Sequence, residues 1–251
     1  MTNTIFNLSS ISMRMRQQGS ALILVLWVTS LLGLLMFGVI STVRLQNVLS
    51  HDELQRTKAL IAAEAGIAIA VKMLLTEPSA IIADGKVYLF EFDKIHLSIR
   101  LRSEHGKLDV NFSSLENFSK LLRYNGGKSY QIEQLAQQLQ KRRNNAEPIQ
   151  DLEELLEATS MTTDLYQRIL PFVTLWSGRG MPDARFADDP LRLALNLKSV
   201  SRTMGNPGSA ISIVVQAELP DSYTAEISTT VLLGSTGTDN SLYRTVQWQE
   251  R

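Results

Sequence analysis

From Ser20 to Val43 the chain runs for 24 residues without a charged side chain (SALILVLWVTSLLGLLMFGVISTV). As a helix rising ~1.5 Å per residue this run is ~36 Å long. That exceeds the ~30 Å hydrocarbon core of a bilayer, so the run can cross a membrane with some tilt. Its flanks orient it. Arg14 and Arg16 precede it, and no Asp or Glu occurs before Asp52. Positive flanks stay on the cytoplasmic side, which puts the N-terminus in the cytoplasm and some 200 residues on the far side. A cleaved secretory signal is the plainer alternative, but its apolar core is typically only about 7–15 residues and ends at an A-x-A-like site. Here Gly33, Gly38 and Ser41 supply no such site.

Gly19 lies between the basic leader and the apolar run. R-Q-Q-G-S-A-L-I-L-V-L-W-V, with A-E-A-G-I-A-I-A downstream, resembles the class III leader of type IV pilins and type II secretion pseudopilins. In those families a prepilin peptidase cuts after a glycine on the cytoplasmic side and leaves the whole apolar helix attached. The resemblance implies cleavage between Gly19 and Ser20, with residues 1–19 as leader, or a seven-residue leader if Met13 is the start. It also exposes a departure. Most pilins carry Glu at the fifth mature position, where this chain has Leu24. A carboxylate at the bilayer centre costs about 2.5–3.5 kcal/mol on insertion scales, and pilins keep it because it pairs with the amine of the subunit ahead. A subunit without it suits a position with no neighbour ahead, as in the K-type minor pseudopilins of type II secretion systems.

Beyond the span, residues 44–76 read as a continued helix, alanine-rich and free of proline until Pro78. Leu45, Val48, Leu49, Leu54, Ile61, Ile69 and Leu74 recur at helical spacing and predict a core-facing stripe; Glu64 is expected in solvent. Val87–Phe92 and Ile95–Leu101 read as strands around an Asp93-Lys94 turn, with Ile95, Leu97, Ile99 and Leu101 on one face. Ser113 with Glu116 predicts a capping box. Helices are expected from Ser129 to Arg143, from Asp151, from Thr163, and after an Asp189-Pro190 start. Three further strands, Ala210–Leu219, Ala225–Leu233 and Leu242–Gln249, close the chain.

S-E-H-G-K-L-D-V-N, then D-L-E-E-L-L…T-T-D-L-Y-Q-R-I-L-P-F-V-T-L-W-S-G, then L-Y-R-T-V-Q-W-Q-E resemble the K subunits segment by segment. The fold implied is α+β: a long N-terminal spine helix, an antiparallel sheet, and an inserted all-helical domain. Its segments are a transmembrane helix at 20–43, spine and first strands at 44–111, the insertion at 112–200, and closing strands at 201–251. The function implied is a minor pseudopilin at the tip of the secretion pseudopilus, anchored once in the inner membrane with a periplasmic domain. Its implied partners are other minor pseudopilins, the prepilin peptidase and the inner-membrane assembly platform. A minor pilin of a type IV pilus and a signal-anchored periplasmic binding module are the alternatives.

Other chemistry is sparse. With 25 basic and 25 acidic residues the chain is neutral, and without Arg14 and Arg16 the balance is 23 against 25. That offers nucleic acid no general attraction. Lys141-Arg142-Arg143 beside two short helices suggests a helix-hairpin-helix, but the turn Ser160–Thr163 lacks the glycines such a motif brings to phosphate. The chain has no cysteine, and His51, His96 and His105 have no metal-ligand spacing. No catalytic motif is present, and no enzymatic activity is expected. Asp183, Asp188 and Asp189 form a small carboxylate cluster near Pro182. K subunits can bind calcium in this region, so these three residues are candidate calcium ligands, with helix capping by Asp189 as the competing reading.

Overall fold

The computed structural model describes residues 12–77, 82–159, 161–198, 206–234 and 241–250, with backbone only for 12–20, 158 and 159. It divides into two compact units, Met1–Gln55 and Arg56–Arg251. In the first, the described residues belong to helix α1 (Ser12–Thr76). The side chains described from Ala21 to Val43 are exposed, as expected of a span whose apolar surface meets lipid. It is the one helix among the described residues long and apolar enough to cross a bilayer.

In the second unit, the C-terminal part of α1 packs on one face of a five-stranded antiparallel sheet. Its strands are β1 (Asp84–Phe92), β2 (Ile95–Ser103), β5 (Ala210–Glu218), β6 (Thr224–Leu233) and β7 (Tyr243–Glu250), in the order β1-β2-β5-β6-β7. Asp93 and Lys94 both have positive φ (49° and 64°), the backbone of a two-residue hairpin turn whose twist matches its strands. The alternation read in β2 holds: Leu97, Ile99 and Leu101 are fully buried against α1, joined by Ile211, Ile213, Val215 and Ile227.

The face that α1 turns to this sheet corrects the sequence expectation in part: of the expected stripe, Leu74 is buried and Ile69 packs against the core. Leu45, Val48, Leu49, Leu54 and Ile61 are more than half exposed, whereas Ala59, Ala62, Ala63, Ile67, Ala70, Val71 and Leu74 are buried. Small residues form the seam because the helix sits close to the strands. A Cβ on Gly66 would lie 2.6 Å from a Val215 methyl. At that separation a long side chain has no room at position 66, whereas Ile67, Val71 and Leu74 join the buried face. Glu64 is exposed, as expected.

Between adjacent strands β2 and β5 the chain makes a long excursion, leaving at Ser103 and returning beside it at Ile211. A 3₁₀ turn (Glu104–Gly106) leads to β3 (Leu108–Asp109) and then α2 (Leu115–Tyr124), α3 (Ser129–Asn144), α4 (Glu154–Thr159), α5 (Thr163–Ile169), β4 (Val173–Thr174) and α6 (Asp189–Leu195). These helices all lie within 112–200 and surround a second core centred on Phe118, Leu121, Leu135, Leu155, Leu165 and Ile169. Two local readings shift. The N-cap of α2 is Ser114, whose hydroxyl accepts from Asn117 N at 3.2 Å. Ser113 is buried, and its backbone N–H closes a turn to Asp109. The N-cap of α6 is Asp188 rather than Asp189. The parallel pair β3–β4 was not foreseen.

Candidate assembly elements

The backbone of Gly19 and Ser20 lies within α1, and their side chains fall outside the described residues. Leu24, five positions into the proposed mature chain, is 65% exposed in the apolar run. Thr29 Oγ1 donates to the Val25 and Leu26 carbonyls at 3.0 Å, and Thr42 Oγ1 to the Gly38 carbonyl at 2.9 Å. These hydroxyls are satisfied by their own helix, which is compatible with a surface that meets no water. In this unit the apolar surface continues past the span through exposed Leu45, Val48, Leu49 and Leu54.

The excursion between β2 and β5 is tied down by polar groups buried in the second unit. Asp109 is fully buried. Its Oδ1 accepts from Asn111 N at 2.9 Å and Phe112 N at 3.3 Å, and its Oδ2 from Ser177 Oγ at 3.1 Å and Gly178 N at 2.9 Å. One carboxylate thus joins the chain after β3 to the chain after β4. Arg143 reaches the same region, donating from Nη2 to the Val110 and Ser113 carbonyls. Burial pulls its pKa below the usual arginine value, and the Asp109 charge opposes that pull. Glu104, also fully buried, pairs with Lys107 Nζ at 2.6 Å, while Ser212 Oγ on β5 donates to the same carboxylate oxygen.

The three candidate calcium ligands do not converge. Asp183 accepts from Arg185 through Nε at 3.0 Å, Nη2 at 2.6 Å and the backbone N–H at 3.0 Å. Chiefly through the hydrogen bond from Arg185, the Asp183 carboxyl is held below its usual pKa. Asp188 is engaged by Arg102 Nη1 from β2, and Asp189 by Arg192 Nη1 at 3.1 Å. Among the described residues no group of three or more His, Cys, Asp or Glu side chains is placed to hold a metal ion. The donor set as it stands does not fit calcium.

The basic run is likewise committed internally: Arg142 pairs with Glu154 and Arg143 with the carbonyls above. Ser160, in the turn of the rival hairpin reading, lies outside the described residues. Asp109, Glu104 and Gly66 were not singled out from sequence. Of the three, only Gly66 carried a signal, a glycine inside a helical pattern that implies a close backbone approach.

A long apolar helix laid by its small-residue face on an antiparallel sheet, with helices inserted between two neighbouring strands, is the pseudopilin fold. Among solved structures the chain matches one from the crystal structure of the GspK-GspI-GspJ complex of the enterotoxigenic Escherichia coli type 2 secretion system. The TM-score is 0.58 at 11% sequence identity, over 80% of this chain and 99% of that one. At that identity the likeness is one of fold. No protein-family model matches the chain, and no curated protein matches it by sequence.

Proposed function

We propose that this chain is a minor pseudopilin of a type II secretion system, anchored by α1 in the inner membrane with its N-terminus cytoplasmic and its α+β unit periplasmic. The observation that carries the proposal is the likeness of fold, which takes in 99% of a chain from a complex of pseudopilins. The basic leader ending in Gly19, ahead of an uncharged span, supports it independently. In this reading the prepilin peptidase cuts between Gly19 and Ser20. The protein then joins other minor pseudopilins on the assembly platform and starts the filament from its tip. Leu24 is the basis for the tip: with no carboxylate there, the subunit has nothing to offer an amine ahead of it, while its own Ser20 amine can receive the glutamate of the next subunit. The role is structural and non-catalytic.

The test is co-purification of the full chain, extracted from membranes, with the minor pseudopilins encoded beside it. Joint elution is expected, and a Leu24→Glu variant should leave secretion level or lower without spreading along the filament. Its added membrane charge costs about 2.5–3.5 kcal/mol and gains no partner at a tip. Failure to co-purify would overturn the assignment. Improved incorporation of Leu24→Glu along the filament would overturn the tip position alone.

A further inference from the structure

We infer that the turn from Pro182 to Asp189 is held by arginine in place of a divalent cation, so that the inserted helices fold and stay fixed to the sheet without calcium. Calcium takes six to eight oxygen ligands at about 2.3–2.6 Å. Here each candidate carboxylate already faces a guanidinium from a different part of the second unit. Arg185 chelates Asp183 from within the turn, Arg102 reaches Asp188 from β2, and Arg192 holds Asp189 from one turn along α6. The space beside Asp188, lined by Arg102, Ser103, Lys107 and Phe186 among others, measures about 10 Å³. That is the volume of roughly one water, too little for calcium with a hydration shell. Its two lining cations, Arg102 and Lys107, are each paired with a carboxylate, Asp188 and Glu104. Calcium could enter only if the arginines left.

The same contacts give the turn a task. Asp183 N donates to the His105 carbonyl at 2.8 Å, and a Cβ on Gly106 would collide with the Phe186 carbonyl. The turn is therefore seated backbone to backbone on the 3₁₀ turn that leaves the sheet. Arg102 adds a charged tie from β2 to the N-terminus of α6, where a carboxylate also faces the positive end of the helix.

The clamp is tested on the full chain in detergent, by thermal unfolding followed through circular dichroism, with excess EDTA and with millimolar calcium. The midpoint should be the same in both media. Arg185→Gln and Arg102→Gln should each lower it by roughly 2–4 °C. A ligand that binds only the folded state raises the midpoint with its concentration, so a midpoint that rose with calcium and fell with EDTA would overturn the inference. So would two arginine variants that melt like the parent. The readout is stability, so it can fail without touching the assembly proposal, and the reverse.

Discussion

The second unit is held together in two different ways, one where α1 meets the sheet and one in the excursion between β2 and β5. Where α1 meets the sheet, the contact is almost wholly apolar and rich in small residues: Ala62, Ala63, Gly66 and Ala70, with Ile67, Val71 and Leu74, pack with Leu97, Ile99 and Val215, and Ala59 with Leu219 and Ala225. The inserted helices have an apolar core of their own, but buried or half-buried charge fixes the excursion: Asp109 within it, and Glu104 with Lys107 and Arg102 with Asp188 where it meets the sheet. The first contact tolerates neighbours that move together, because dispersion and burial have no direction. The second depends on donors and acceptors at set positions, and removing one member strands the rest. An insertion that must leave and rejoin adjacent strands at one point suits the second.

Breaking the polar junction is expected to have the larger effect. Asp109→Ala removes the acceptor for Asn111 N, Phe112 N, Gly178 N and Ser177 Oγ at once and withdraws the charge opposite Arg143. The expected loss is about 3–5 kcal/mol in denaturant unfolding. Amide exchange should rise around residues 108–113 and 173–178 while β2 and β5 keep their protection. Uniform loss of protection across both regions would mean that the two do not differ as described.

The apolar seam should be less sensitive, and repairable. Gly66→Leu forces a side chain into the space held by Val215, an overpacking cost of about 1–3 kcal/mol, offset in part by the better helix propensity of leucine. Adding Val215→Ala should recover part of that loss, because the methyl in the way is gone. No single neighbour can replace the four hydrogen bonds of Asp109. A Gly66→Leu variant as stable as the parent would show that α1 is free to lift from the strands.

The division between the two regions is also a division in what the sequence made legible. The spine helix, the Asp93-Lys94 hairpin and the alternating face of β2 could be read locally, since each is a pattern within a few turns or residues. The core face of α1 is legible only in part, at Ile69 and Leu74, because leucine and valine dominate a search for apolar stripes while much of the seam is alanine and glycine. β3 and β4 have two residues each and thus no period to detect. Asp109 meets Ser177 and Gly178 across nearly 70 positions, and Ser212 reaches Glu104 across 108; no spacing rule joins such pairs. The carboxylates at 183, 188 and 189 looked like one cluster because they are near in sequence. Their arginine partners at 102, 185 and 192 come from three places in the fold.

α1 is proposed as an anchor kept after processing, and N-terminal sequencing of the protein recovered from membranes in a host with prepilin peptidase, beside a Gly19→Leu variant, decides it. The mature chain is expected to begin at Ser20 and to retain the apolar run through Val43, with the variant left uncut. A mature chain that begins beyond Val43 would contradict it, because the span would then be a discarded signal and the chain no pseudopilin.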